Sequence, residues 1–261
     1  MLDCTAIIVP LVAMCGAHAI FAVALRTVVG GGRTTSGGTL VANACAYNLV
    51  VTLAQTLAAT LGVAAWLDGT ASALDDGTFA SRLYSNSDTF APLLRLTASY
   101  EVYNTIASLA LTEYRTAVYI GHHLTTLLLA MLGDNPPLLH YFGFFFFGVV
   151  QLSSAPLALG EVAEHLGATR LHLVCKGLFA VFFLIVRTVI WPLVSLQFWR
   201  DTLSTMHAGG RSLGALTIFL AANIFLTGLQ FLWTGQIVRA VRDMLSGGPG
   251  APAPAAASKS S

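Results

Sequence analysis

Polar and apolar residues in this chain separate into long blocks instead of alternating. A helix needs about 20 mainly apolar residues to cross a bilayer. Seven stretches meet or approach that length: 5–29, 43–67, 92–112, 116–132, 138–160, 171–199 and 212–241. The third is the most polar and contains Arg95 and Glu101, its acid being the only one inside a predicted span. The fourth is short but uncharged, and the sixth carries Arg187 near its middle. Breakers mark the joints: Gly30-Gly31-Gly32 and Gly37-Gly38 between the first two stretches, a turn over 134–137 with Pro136 and Pro137, and Gly209-Gly210 before the last. The pattern predicts an all-α, polytopic transmembrane helix bundle of about seven spans. Residues 1–42 form a first span and loop, 43–241 the main transmembrane domain, and 242–261 a Gly-, Pro- and Ala-rich tail predicted to be disordered. The first apolar stretch exceeds the roughly 7–15 residues of a signal-peptide core, and Asp3 precedes it in place of a basic segment, so it reads as a retained span.

Composition agrees. Only 10% of the residues are charged, against about 25% in a soluble domain, and the mean hydropathy is +0.74. A net charge of +1 gives no electrostatic basis for binding nucleic acid. Cys4, Cys15, Cys45 and Cys175 are widely spaced, form no CxxC pair, and read as small buried hydrophobes. Basic residues set the predicted orientation. Arg26, Arg33, Arg115, Arg170, Arg239, Arg242 and Lys259 fall on one side, against Arg82, Arg200 and Arg211 on the other. That places the C-terminus in the cytosol and the acid-rich loop 68–90 on the far side.

Polar residues inside spans are costly and need a reason. Positions three and four apart share a helix face, so Tyr119, His122, His123 and Thr126 form one stripe on the fourth span. Tyr100, Asn104 and Ser108 line up on the third, bordered by Tyr103. Gln151 and Ser154 share a face on the fifth, where Pro156 frees the carbonyl of Leu152. Asn223, Thr227, Gln230 and Thr234 stripe the seventh. Arg187 lies too far from either end of its span to snorkel, and Glu101 is its natural partner. Together these stripes predict a polar pocket enclosed by spans three to seven. Polar interhelical packing would produce the same stripes one by one.

The motifs on these stripes resemble the TLC family of TRAM, Lag and CLN proteins, over about residues 43–241. The resemblance rests on G-H-H-L-T-T at 121–126, S-Y-E-V-Y-N at 99–104, Q-L-S-S-A-P at 151–156, F-F-L-I-V-R at 182–187 followed by Pro192, and L-Q-F-L-W at 229–233. It implies a multi-helix membrane domain with a role in lipid homeostasis, usually in the endoplasmic reticulum. Some members transfer an acyl group from acyl-CoA to a sphingoid base. This chain departs from the family pattern at Asn104 and Gln151, where the family carries Asp and Glu. It has no acid between Asp134 and Glu161, which sets it apart from ceramide synthases and beside the smaller TLC-domain proteins.

Two functions follow as expectations. In one, the pocket binds or modifies a membrane lipid, such as a sphingoid base or a phospholipid, with tails along the phenylalanines at 144–147 and 179–183. In the other, His122 or His123 serves as general base or acyl acceptor of an acyltransferase, with acyl-CoA as co-substrate and no further cofactor. Tyr100, Tyr103, Asn104, Tyr119, Thr126, Gln151, Ser154, Arg187, Asn223 and Gln230 are the candidate substrate-binding residues. A retinal-binding receptor lacks its lysine in the seventh span. Metal binding lacks ligands, since adjacent helical histidines point about 100° apart. Oligomeric state stays open.

Overall fold

A computed structural model describes residues 4–29, 36–134 and 136–245. All regular structure among them is helical. The helices are α1 (Cys4–Val29), α2 (Ser36–Leu67), α3 (Phe79–Tyr84), α4 (Ala91–Ala110), α5 (Ala117–Leu132), α6 (His140–His165), α7 (Thr169–His207) and α8 (Leu213–Leu245). Five of these, α1, α2, α6, α7 and α8, are long and apolar enough to cross a membrane. With α4 and the 16-residue α5 they supply the seven expected segments. The protein is a multi-pass integral membrane protein.

The boundaries depart from expectation where helices outrun their apolar cores. α2 begins at Ser36, so Gly37 and Gly38 lie within a helix instead of separating two. α6 runs on to His165 and α7 to His207. Helical hydrogen bonding continues into the polar interface, where hydropathy falls away but the backbone has no reason to unwind. These extensions bring Glu161, Glu164 and Asp201 into the spanning helices, so Glu101 is not the sole acid there. Gly30-Gly31-Gly32, Arg33, part of the turn at 134–137 and the tail 246–261 lie outside the described residues.

The polarity is that of a bundle in lipid. Ile8, Val9, Val12, Ile20 and Val23 of α1 and Val174, Val181, Ile185 and Val189 of α7 are exposed, while Asn48, Glu101, Asn104, His123, Arg187 and Gln230 are buried. Of the cysteines, Cys45 and Cys175 are buried as expected, but Cys15 is exposed on α1. Hydrogen bonds tie α1 to α4, from the Ser99 hydroxyl to the Ile7 carbonyl at 2.9 Å and between His18 Nδ1 and the Tyr103 hydroxyl at 2.7 Å.

Two features fix how the helices meet. At the crossing of α2 and α6, a Cβ on Gly62 would lie 2.6 Å from the Gly148 backbone, and one on Gly148 would lie 2.5 Å from Gly62 Cα. The two backbones touch, and only glycine fits. At the end of the bundle carrying the 68–90 loop, Arg82 grips Asp201 with both Nε (2.6 Å) and Nη2 (2.8 Å). Its Nη1 reaches Asp75 at 2.9 Å. This forked clamp pins the loop to α7. Two helical stretches are widened to π geometry, Phe144–Val149 in α6 and Phe183–Ile190 in α7. Such widenings turn the following residues relative to those before.

The crossing predicts that Gly62→Val or Gly148→Val costs about 1–3 kcal/mol from overpacking. Gly228→Ala, in open space on α8, should stabilise the helix by about 0.5–1 kcal/mol. Equilibrium unfolding in mixed micelles, followed by tryptophan fluorescence, would separate the two.

Candidate intramembrane site

α4, α5 and α2 meet at a buried polar network centred on His123. Its Nδ1 lies 2.6 Å from Glu101 Oε2. The Asn104 amide nitrogen lies 2.9 Å from Nδ1 and 3.0 Å from Nε2 of the same ring. Nδ1 carries the proton donated to Glu101, so only Nε2 keeps a lone pair to accept from Asn104. The rest of the network agrees with that assignment. Asn104 Nδ2 also donates to the Tyr100 hydroxyl at 3.0 Å, and Asn104 Oδ1 accepts from Tyr47. Having spent its proton on Asn104, Tyr47 accepts from Tyr119 at 2.8 Å. Gln55 donates to Tyr100 at 2.9 Å. Tyr100 thus accepts twice, and its own hydroxyl hydrogen is left for the cavity that it faces. His123 is oriented and fully engaged.

His122 is the opposite case. Its Nδ1 is buried and has no hydrogen-bond partner. The ring meets His123 and Trp233 edge-on, with centroids 5.0 and 5.6 Å away. Adjacent positions on α5 therefore carry one histidine locked to a carboxylate and one left available.

The second network surrounds Arg187, which sits in the widened segment of α7 and is 7% exposed. Its Nε donates to Ser153 (2.7 Å) and its Nη2 to Ser154 (2.7 Å) and to the Val150 carbonyl (3.2 Å). Its Nη1 reaches Gln230 Oε1 at 3.4 Å. The expected pairing with Glu101 does not occur, because Glu101 is turned toward His123 on the neighbouring α5. Among the described residues Arg187 has no ion-pair partner. The α6 carbonyl that it reaches is that of Val150, beside the widened turn, and not that of Leu152, which Pro156 frees.

Two cavities share a wall made by Gln55, Tyr100, His122, His123, Ser154 and Arg187. The smaller, about 90 Å³, is bounded largely by aromatic and aliphatic side chains, including Phe142, Phe146, Phe147, Trp191, Phe198 and Phe219. It reaches toward the end of the bundle that carries the Arg82 clamp. The larger, about 380 Å³, extends the other way and includes Asn48, Tyr114, Tyr119, Glu161, Trp233 and Gln236. The shared wall is a polar collar between an apolar chamber and a mixed vestibule.

With the geometry in place, comparison with known proteins is decisive on one point. The family model of the TLC domain matches residues 46–239. The chain belongs to the TLC-domain family. No match was found among curated proteins or among solved structures.

In this TLC domain the collar gathers most, but not all, of the residues singled out from the sequence. Tyr100, His122, His123, Ser154 and Arg187 face both cavities. Thr126, Gln151 and Asn223 line the apolar chamber, and Tyr119 the vestibule. Gln230 meets Arg187, while Asn104 lies behind the wall and holds His123. Tyr103 is turned away from the pocket toward His18 on α1. Of the phenylalanines, Phe146 and Phe147 line the chamber, and Phe179 and Phe183 the vestibule. The contribution of α2 escapes a search for charged residues. Asn48, Thr52 and Gln55 nevertheless recur at four and three residues on that otherwise apolar helix, a stripe of the same kind as on α4 and α8.

The Glu101–His123 contact predicts an asymmetry. Glu101→Ala strands a buried imidazole N–H and should cost about 1–3 kcal/mol. Glu101→Gln keeps an acceptor and should cost much less. Combined with His123→Ala, the alanine change should be clearly less than additive when unfolding is measured in micelles.

Proposed function

We propose that this TLC-domain protein acts in lipid homeostasis by binding a membrane lipid in the paired cavities, with its polar head at the collar and an acyl tail in the aromatic chamber. The observation that carries this reading is the collar itself. Among the described residues, a buried guanidinium without an ion pair and an imidazole nitrogen without a partner belong to side chains on one wall between two cavities. Groups left open in a low-dielectric interior are expensive, and a ligand head that engages them repays the cost. The excess of basic residues on that side supports a cytosolic vestibule, and the endoplasmic reticulum is the proposed membrane.

A second reading, acyl transfer, is favoured by the contrast between the two histidines. His122 is free to take the proton of an amine or hydroxyl acceptor as its heteroatom bonds to the carbonyl carbon of an acyl thioester such as acyl-CoA. The C–S bond then breaks, and the thiolate leaves with the proton carried by His122. Tyr100 has its hydroxyl hydrogen to offer the carbonyl oxygen. His123, tied to Glu101 and Asn104, positions α5 and is not itself the base.

The test uses purified protein in nanodiscs. Wild type is expected to retain specific lipid by mass spectrometry, and a Ser154→Ala/Arg187→Gln variant to lose it. A bundle that purifies without specific lipid would overturn the binding reading. For transfer, labelled acyl-CoA with sphingoid-base and lysophospholipid acceptors should give product, lowered about 10²- to 10⁴-fold in His122→Ala. Absence of product, or product unaffected by that change, would remove the transferase reading and leave binding standing.

A further inference from the structure

Within the lipid-binding reading, we infer that Arg187 is the anchor for an oxyanion, so that the lipid accepted at the collar carries a carboxylate or phosphate head and not a neutral or cationic one.

Among the described residues, the groups that surround the guanidinium leave its charge without a counterion. Arginine stays charged under all ordinary conditions. The groups around Arg187 are neutral: two serine hydroxyls, one backbone carbonyl, one amide oxygen and the Phe183 ring, whose centroid lies 5.7 Å from the guanidinium carbon. These orient a cation without balancing its charge. Two acids touch the cavities, Glu101 and Glu161. Glu101 is engaged by His123 at 2.6 Å. Glu161 lies seven residues beyond Ser154 on α6, about 10 Å along the helix axis. Neither is placed to neutralise Arg187.

The donors that remain point to the same chemistry. A guanidinium has five N–H groups. The four observed bonds use Nε, one hydrogen of Nη1 and both of Nη2, which leaves one Nη1 hydrogen. Gln230 is 1% exposed, and its Nε2 has no partner, although the Oε1 of the same amide meets Nη1. Three unspent N–H donors, one on Arg187 Nη1 and two on Gln230 Nε2, therefore belong to groups in direct contact, one of them a net cation. A carboxylate or phosphate oxygen takes such donors with a favourable charge, whereas an ammonium head would meet like charge. His122, whose Nδ1 has no partner, lines both cavities with Arg187, and Gln230 lies behind that wall. The hydroxyls of Ser153 and Ser154 hold the fork of the guanidinium in place, so little freedom is lost when an anion arrives.

The test compares three radiolabelled lipids with the same chain on the full-length protein in neutral-lipid nanodiscs: palmitate, palmitoyl lysophosphatidate and monopalmitoylglycerol. At least one anion is expected to bind about 10- to 100-fold more tightly than the neutral lipid, the range for hydrogen bonds to charged groups. Arg187→Gln should erase that preference, so that the anionic and neutral lipids bind alike. Gln230→Glu supplies an internal carboxylate beside Arg187. It should likewise erase the preference, with raised thermal stability, and it guards against an Arg187 variant that fails to fold. Tighter binding of palmitate identifies a free fatty acid as the source of the oxyanion, and tighter lysophosphatidate a phosphate head. Equal binding of all three lipids to wild type, or a preference that survives both substitutions, overturns the inference and leaves lipid binding intact. Failure of wild type to bind any of the three overturns the lipid-binding reading along with it.

Discussion

A polar group drawn into a bilayer-spanning bundle has to be answered from within the bundle, because the surrounding medium offers no water to do it. That constraint organises this protein more than hydrophobic burial does, since lipid solvates the apolar surfaces almost as well as the core. It explains why the polar side chains around the cavities occur in connected groups. Tyr47, Gln55, Tyr100, Asn104, Tyr119, Glu101 and His123 each meet at least one other member of one network, and Arg187 gathers Ser153, Ser154 and Gln230 into another. The two networks come from different helices and meet only at the wall between the cavities. Each fixes one side of that wall: α2, α4 and α5 hold the imidazoles, and α6, α7 and α8 hold the guanidinium.

The division of labour between the adjacent histidines follows from helix geometry. Consecutive residues on a helix point about 100° apart, so a direction that seats His123 against Glu101 on α4 necessarily turns His122 elsewhere, toward α8 and Trp233. Locking one ring is what leaves the other open. The widened turns in α6 and α7 serve a related end. They place Val150 with its carbonyl, Ser153 and Ser154 around Arg187, an arrangement that a regular helix with one side chain about every 100° would have to achieve with longer residues.

Five of the membrane segments were legible because an apolar block of about 20 residues or more matches the thickness of a bilayer and little else, while α4 and α5 are the more polar and the shorter of the seven. Their ends were less so, since α2, α6 and α7 extend into sequence whose polarity looks like loop but whose backbone remains hydrogen-bonded. The stripes on α4, α5, α6 and α8 and the depth of Arg187 could also be read, since face and depth are properties of a single helix. Partnership is a property of two. Glu101 and Arg187 stand out in the sequence as opposite charges deep within predicted spans. Only the packing of α4 beside α5 gives the carboxylate to His123, and only the position of α1 takes Tyr103 out of the pocket. The role of α2 was hidden for a different reason: its polar residues are uncharged amides and a tyrosine, which barely perturb hydropathy.

The glycine contact between α2 and α6 bears on how such a site could breathe. Side chains accommodate motion by changing rotamer, and a backbone pressed against a backbone has none to change. Gly62 and Gly148 therefore weld two helices into a single unit that cannot supply slack. Any dilation that admits a molecule larger than the resting cavities has to be taken up across the facing side chains of α5, α7 and α8. The imidazole of His122 and the indole of Trp233 meet on that compliant seam, so the ring with the open nitrogen belongs to the part of the molecule with room to adjust.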